Sequence, residues 1–286
     1  MSGSKIKSLV IAALALINVF FLVIFIWGRA DTALAARRAL ENIRQIMLES
    51  GVTLQSGAVH GGAALKALRT GRDAAGEEAI ARACLGDVSA EDQGGGILRY
   101  TSALGSATFN SRGEFVIEYT APVADRENLA SAARRWLRTR DMEATAPIAA
   151  ETVGMQAVSA VIGAETDGTQ TVSAVYTYKK TLIFNCRVTF ELTDGGRLRV
   201  TGRRPAGIRE GGTGAIADVS TVLMGFLSSI RAGEVSCRAI TDVRAGYHFN
   251  AGALGDGELS PGWRVTTDAG EYFVNSLTGE LEAMYN

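Results

Sequence analysis

The chain has 286 residues, with 29 basic and 30 acidic side chains, a formal net charge of −1 and a pI near 6.2. That even balance argues against a generic nucleic-acid binder, which would usually carry a basic excess, and four prolines exclude a proline-rich linker. A hydrophobic content of 47% supplies core for one large domain or two medium ones.

The first element is apolar. Ser8 to Trp27, SLVIAALALINVFFLVIFIW, carries no charge across 20 residues. At about 1.5 Å rise per residue a helix of that length spans roughly 30 Å, the thickness of a bilayer's hydrocarbon core. Lys5 and Lys7 precede it, and Trp27 sits at its far end, where interfacial aromatics belong. A signal peptide's apolar region is usually about 7–15 residues, so the length favours a retained anchor, although Ala33–Ala35 offers a small-residue cleavage pattern. The short basic stub favours a cytoplasmic N-terminus and an extracytoplasmic bulk. Beyond Lys5 and Lys7 the chain holds 27 basic and 30 acidic residues, an ordinary solvated balance.

Residues 31–50 repeat apolar positions at helical spacing (Leu34, Leu40, Ile43, Met47), with Gly51 as the stop, and read as a juxtamembrane helix. A second helical stretch is expected over 62–85, broken near Gly71 and Gly76, and EDQGGG (91–96) reads as a loop. The period then changes to two, with short strands from 95 to 121 turning at Ser111–Glu114. Residues 125–143 return to helix, with Asp125 as N-cap and Leu129, Ala133, Trp136 and Leu137 facing inward. Several strands follow over 156–205, with ETDGTQ and TDGGR as hairpin turns. A helix over 217–233 presents Val219, Val222, Leu223, Phe226, Leu227 and Ile230 on one side. Three closing strands fall near 236–249, 263–267 and 271–275, with turns at TDAGE and SLTGE. The layout implies an α+β fold: a single N-terminal transmembrane helix (1–28), a juxtamembrane helix (29–50), and two units of antiparallel sheet with packed helices (51–150 and 151–286).

Chemistry-bearing residues are sparse. His60 and His248 lie far apart, and no paired Cys/His spacing suggests a metal site. Cys84, Cys186 and Cys237 read as buried small hydrophobes. The glycine runs at 94–96 and 211–214 lack the Gly-Lys-Ser/Thr ending of a phosphate loop. Asp268, Glu271 and Glu280 read as solvated turn acids, and Trp263, Tyr272 and Phe273 as the buried face of a strand. No catalytic residue, cofactor or metal is expected. Asn18 is the one amide inside the apolar span, and hydrogen-bonding a second helix would be worth about 0.6–2 kcal/mol.

The closing WRVTTDAGEYFVNSLTGEL resembles the end of PepSY-type modules, and ITDVRAGYHFN (240–250) the strand that enters that hairpin. YTYKKTLIFNCRVTFEL (176–192), with its IFN step, and the anchor KIKSLVIAALALINVFFLVIF are similar to YycI-type two-component regulatory proteins. The resemblance covers the anchor and most of 156–286; the GRRPAGIREGGTGA loop departs from it. It implies a single-pass, non-enzymatic accessory protein that associates with a WalK-like sensor histidine kinase of cell-wall homeostasis and a YycH-like sister protein. In that reading Asn18, Phe20 and Phe21 contact a partner's transmembrane helix, and a PepSY-like module closes the chain. The alternatives are a PepSY-like extracellular peptidase inhibitor or escort and, behind it, a cell-wall hydrolase.

Overall fold

The computed structural model describes residues 18, 35, 37–60, 64–122, 129, 133, 136, 153–156, 170–192, 195–253 and 255–284. The expected transmembrane span lies outside the described residues except for Asn18, which is helical and exposed. No helix among the described residues is long and apolar enough to cross a membrane. The chain divides into two compact units, Met1–Leu54 with Asp218–Ala239, and Gln55–Ala217 with Ile240–Asn286.

The described part of the first unit is built on two helices. Helix α1 covers residues 37–49 and buries Ile43 and Met47, two of the apolar positions expected to face inward. It stops as the glycine predicts: the Gly51 N–H donates to Leu48 O and the Val52 N–H to Met47 O, the paired bonds of a Schellman cap, with Gly51 at φ 81°. A two-residue strand, β1 (Thr53–Leu54), follows. The partner helix, which we call α3, spans Val219–Arg231; the Asp218 carboxylate caps it by accepting from the Ser220 N–H at 3.0 Å. Val222, Leu223, Phe226 and Leu227 are buried as one stripe, as their spacing requires. Arg231 donates to Ser50 Oγ at 2.8 Å, and the Thr53 N–H to Arg238 O at 2.8 Å. The segment following the expected membrane span is thus tied to residues some 180 positions away.

The second unit is sheet-rich. Its strands are β2 (Val59–His60), β3 (Lys66–Thr70), β4 (Ser89–Gly94), β5 (Ile97–Ser102), β6 (Gly105–Phe109), β7 (Glu114–Tyr119), β8 (Val153–Gln156), β9 (Gln170–Tyr178), β10 (Thr181–Leu192), β11 (Leu198–Arg203), β12 (Arg209–Ala215), β13 (Ala239–Ala251), β14 (Gly257–Thr267), β15 (Glu271–Asn275) and β16 (Leu281–Met284). A continuous path runs β12-β3-β14-β13-β10-β11-β7-β6-β5-β4, with β15 and β16 branching from β14, and β9 and β8 from β10. Most pairs are antiparallel, as expected, but β13 runs parallel to both β10 and β2.

Four sequence expectations change. Lys66–Thr70 is a strand rather than the start of a helix: it pairs with β12 and β14, and the helix α2 (Ala74–Leu85) begins only after Asp73, whose carboxylate accepts from the Gly76 N–H. Residues 91–94 belong to the exposed strand β4, held at the sheet edge by pairing with β5. Strands β7 and β11, from either side of the cut that the recurring strand–helix–strand layout suggested near 148–155, pair directly in one sheet. The closing region has four strands instead of three, and β14 runs through Pro261, which pairs with Tyr247 in register. The helix expected at 125–143 is described at Leu129, Ala133 and Trp136, all helical, the first two buried; its proposed Asp125 cap lies outside the described residues. So does the ETDGTQ turn.

Strand β10 is the hinge of the architecture. Ile183, Cys186, Val188, Phe190 and Leu192 are all fully buried in the main core. The parity switch between Ile183 and Cys186 marks a bulge, seen as a register shift between Leu182 and Arg187 against β9. Leu182 and Phe184, ahead of the bulge, enter a separate small cluster with Phe273. The bulge therefore lets one strand serve the core with one half and build a second surface with the other.

Candidate functional site: an arginine-lined cleft with an aromatic floor

The second surface is a cleft of about 440 Å³. Period-two alternation assembles it. Arg244, Gly246 and His248 project from one face of β13, while Val243 and Tyr247 are buried on the other. Register places Gly262 opposite Gly246, Arg264 opposite Arg244, and Phe273 of β15 opposite Arg264. Glu282 of β16 pairs with Phe273 and completes the row. Arg187 of β10 and Arg203 of β11 line it as well.

Two glycines make the floor possible. A Cβ at Gly246 would collide with the Phe184 ring, and one at Gly262 with the Phe273 ring. Both rings therefore lie down on bare backbone of the neighbouring strands. They pack at 6.2 Å centroid separation, tilted by 58°. The His248 ring stacks on Phe273 at 5.0 Å and 25°, and the Arg264 guanidinium lies 5.2 Å from the Phe184 centroid. The Arg203 guanidinium lies 4.9 Å from the ring of Phe249.

Asn185 fixes the wall. Its amide donates to Phe249 O at 2.8 Å while its carbonyl accepts from the Phe249 N–H at 2.8 Å. At the bulge, where the β10 backbone leaves the ladder, this side chain stands in for a missing strand partner. The IFN step thus has a physical content: Ile183 enters the core, Phe184 paves the cleft and Asn185 closes the backbone bonds.

The charges are partly paired. Asp242 accepts from Arg244 at 3.3 Å and from Arg264 at 3.2 Å, and lies 2.9 Å from His60 Nε2. Glu271 stands 3.8 Å from Arg264. His248 Nδ1 is 3.0 Å from Asn250 Oδ1; because Asn250 Nδ2 donates to Ser260 Oγ, its Oδ1 is the acceptor and Nδ1 carries the proton. Burial holds the His248 pKa below the usual imidazole value, outweighing the nearby Glu282 carboxylate, and Arg203 pushes it the same way. The imidazole is therefore neutral near pH 7. The Ser260 hydroxyl donates to Glu258 at 3.3 Å. Burial drives the Cys186 thiol far above its ordinary value, so it is an inert core group.

The residues singled out from the sequence distribute as follows. Trp263 and Phe273 are both buried, but on opposite faces: Phe273 floors the cleft, and Trp263 faces away and donates to Ala217 O at 2.9 Å. Tyr272 is half-buried. Glu271 lines the cleft, whereas Glu280 accepts from Thr278 in an exposed turn and Asp268 is exposed. Cys84 and Cys186 are buried and Cys237 is half-buried. The 211–214 glycines lie within β12 and Gly94 ends β4. Phe20 and Phe21 lie outside the described residues. No group of three metal-capable side chains occurs among the described residues. The sequence reading missed Arg203, Arg244 and Arg264. The signal was present in R-A-G-Y-H-F-N (244–250), where polar or small residues alternate strictly with apolar ones, giving a polar second face to a strand whose first face is core.

No protein-family model matches the chain, and no curated protein does. Among solved structures, an uncharacterized protein from Eubacterium rectale is similar with a TM-score of 0.47 at 10% identity, over 82% of this chain and 90% of its own. The Bacillus megaterium YpeB C-terminal domain is similar with a TM-score of 0.35 at 11% identity, over 76% of this chain and 100% of its own. At these scores neither likeness carries a function to this chain.

Proposed function

We propose that this chain is a membrane-anchored, extracytoplasmic accessory protein of the YycI type, closed by a PepSY-like module, that regulates a WalK-like sensor histidine kinase together with a YycH-like sister protein. The observation that carries the proposal is the charge-free stretch Ser8–Trp27, long enough to span a bilayer and followed by a sheet-rich body. The kinase is engaged in part through the transmembrane helix, where Asn18 hydrogen-bonds the partner and Phe20 and Phe21 pack beside it. The role is non-catalytic. Supporting that view, the one imidazole in the cleft is buried, stacked on a phenyl ring and bonded to an amide, and the nearby serine hydroxyl serves a carboxylate instead of the imidazole.

The test is co-purification from gently solubilised membranes. Asn18→Leu is expected to weaken recovery of the kinase several-fold while leaving the protein's own abundance unchanged. Equal recovery with both proteins would refute the transmembrane contact.

A further inference from the structure

The cleft has more cationic hydrogen-bonding capacity than the protein uses. Six buried side-chain nitrogen or oxygen atoms find no hydrogen-bond partner among the described residues, and three of them are the Nε atoms of Arg203, Arg244 and Arg264. Native proteins keep few such atoms; these three are themselves shut off from solvent, but they belong to side chains that line one cavity, and that gathering asks for an explanation. Arg244 and Arg264 share a single carboxylate, Asp242. Among the described residues Arg203 makes no ion pair, and its guanidinium lies over the Phe249 ring. Two further acids face the cavity: Glu271, 3.8 Å from Arg264, and Glu282, an exposed rim residue. His248 adds no positive charge near neutrality.

The volume, about 440 Å³, lies within the 300–1,000 Å³ range of small-molecule sites. Its makeup is that of a site for a ligand with two parts: guanidinium groups suited to bidentate contact with an oxyanion, beside a floor of two phenyl rings suited to a planar or apolar body. From this the geometry points to a binding site for a small organic anion, a carboxylate or phosphate ester carrying an aromatic or apolar group. The oxyanion sits among Arg203, Arg244 and Arg264, and the body lies on Phe184 and Phe273. Asp242 and Glu271 hold the two paired arginines in place, and Arg203 supplies the uncompensated charge. The site does not depend on the kinase contact proposed above, since it is built wholly from residues 175–284.

The experiment uses the full chain in detergent micelles and isothermal titration calorimetry with benzoate and phenyl phosphate, with phenol and inorganic phosphate as the partial probes. At least one organic anion should bind ten-fold or more tightly than phenol and than inorganic phosphate, and its binding should weaken with added salt. Preference for benzoate assigns a carboxylate ligand, and preference for phenyl phosphate a phosphate ester. Arg203→Gln should weaken the preferred probe at least ten-fold. Should that variant fail to fold, Arg203→Lys, which keeps the charge but loses the fork, should weaken it several-fold. Organic anions no tighter than phenol, or a folded Arg203 variant that binds as the parent does, would overturn the assignment. Kinase co-purification is read separately, so either proposal can fail without the other.

Discussion

Replacing Asn185 by Ala tests how the cleft is built. The Asn185 amide makes two 2.8 Å hydrogen bonds to one residue's backbone, the N–H and C=O of Phe249. Deleting it removes both partners at once and leaves a buried backbone donor and acceptor. Each unsatisfied group costs about 1–3 kcal/mol. The adjoining cavity is roomy enough to admit water to these groups, which places the loss at the lower end, about 2–3 kcal/mol in total. For a body of this size, 1 kcal/mol moves the melting temperature by about 2–4 °C, so Asn185→Ala should melt about 4–12 °C lower. Asn185→Asp keeps the acceptor for the Phe249 N–H but sets a carboxylate oxygen against the Phe249 carbonyl, and should also be destabilised. Differential scanning calorimetry supplies the melting temperatures, and hydrogen exchange at the Phe249 amide reports the local opening. A shift below 1 °C with unchanged exchange at Phe249 would refute the view that Asn185 substitutes for a strand partner.

Two further outcomes follow from the same surface. Gly262→Ala should cost about 1–3 kcal/mol, because the new methyl meets the Phe273 ring and the Val274 carbonyl and one of them must move; denaturant titration measures it, and an unchanged midpoint would mean the ring does not lie on that glycine. His248 has a folded-state pKa below its unfolded value, so the unfolded chain takes up a proton first as pH falls. The His248 contribution to stability is thus complete above the unfolded value of about 6.5 and is lost as pH drops from there towards the lowered folded value. His248→Gln should flatten the stability profile just below pH 6.5, and an identical slope in the variant would contradict the burial argument.

The parts of the fold legible in the sequence were those set by local periodicity and capping. Gly51 ends its helix as read, and of the stripe read for α3 Val222, Leu223, Phe226 and Leu227 are buried while Val219 and Ile230 are half-buried. The misread segments share a cause: pairing with another strand, not local propensity, sets their conformation. Lys66–Thr70 looks helical by its leucine and alanine content but is claimed as a strand by β14 and β12. The acidic, glycine-rich residues 91–94 have poor strand propensity and are extended because β5 pairs with them. The strand read near 263–267 in fact begins at Gly257, and its ladder with β13 passes through Pro261. The cleft was least legible of all. Phe273 read as part of the buried face of a strand and Phe184 only as part of the IFN step, and only the cross-strand register that lays them on Gly246 and Gly262 turns them into a floor. The three arginines are dispersed over β11, β13 and β14 and show no motif; alternation marks their face, but only pairing brings them together.

Affinity capture of the full-length protein from gently solubilised membranes, beside a soluble version of residues 31–286, tests the regulatory role most directly. The account predicts a sensor histidine kinase recovered with the full-length form and largely lost without the anchor. A secreted peptidase held equally by both forms, with no kinase on either, would contradict it and assign the chain to the inhibitor or escort class.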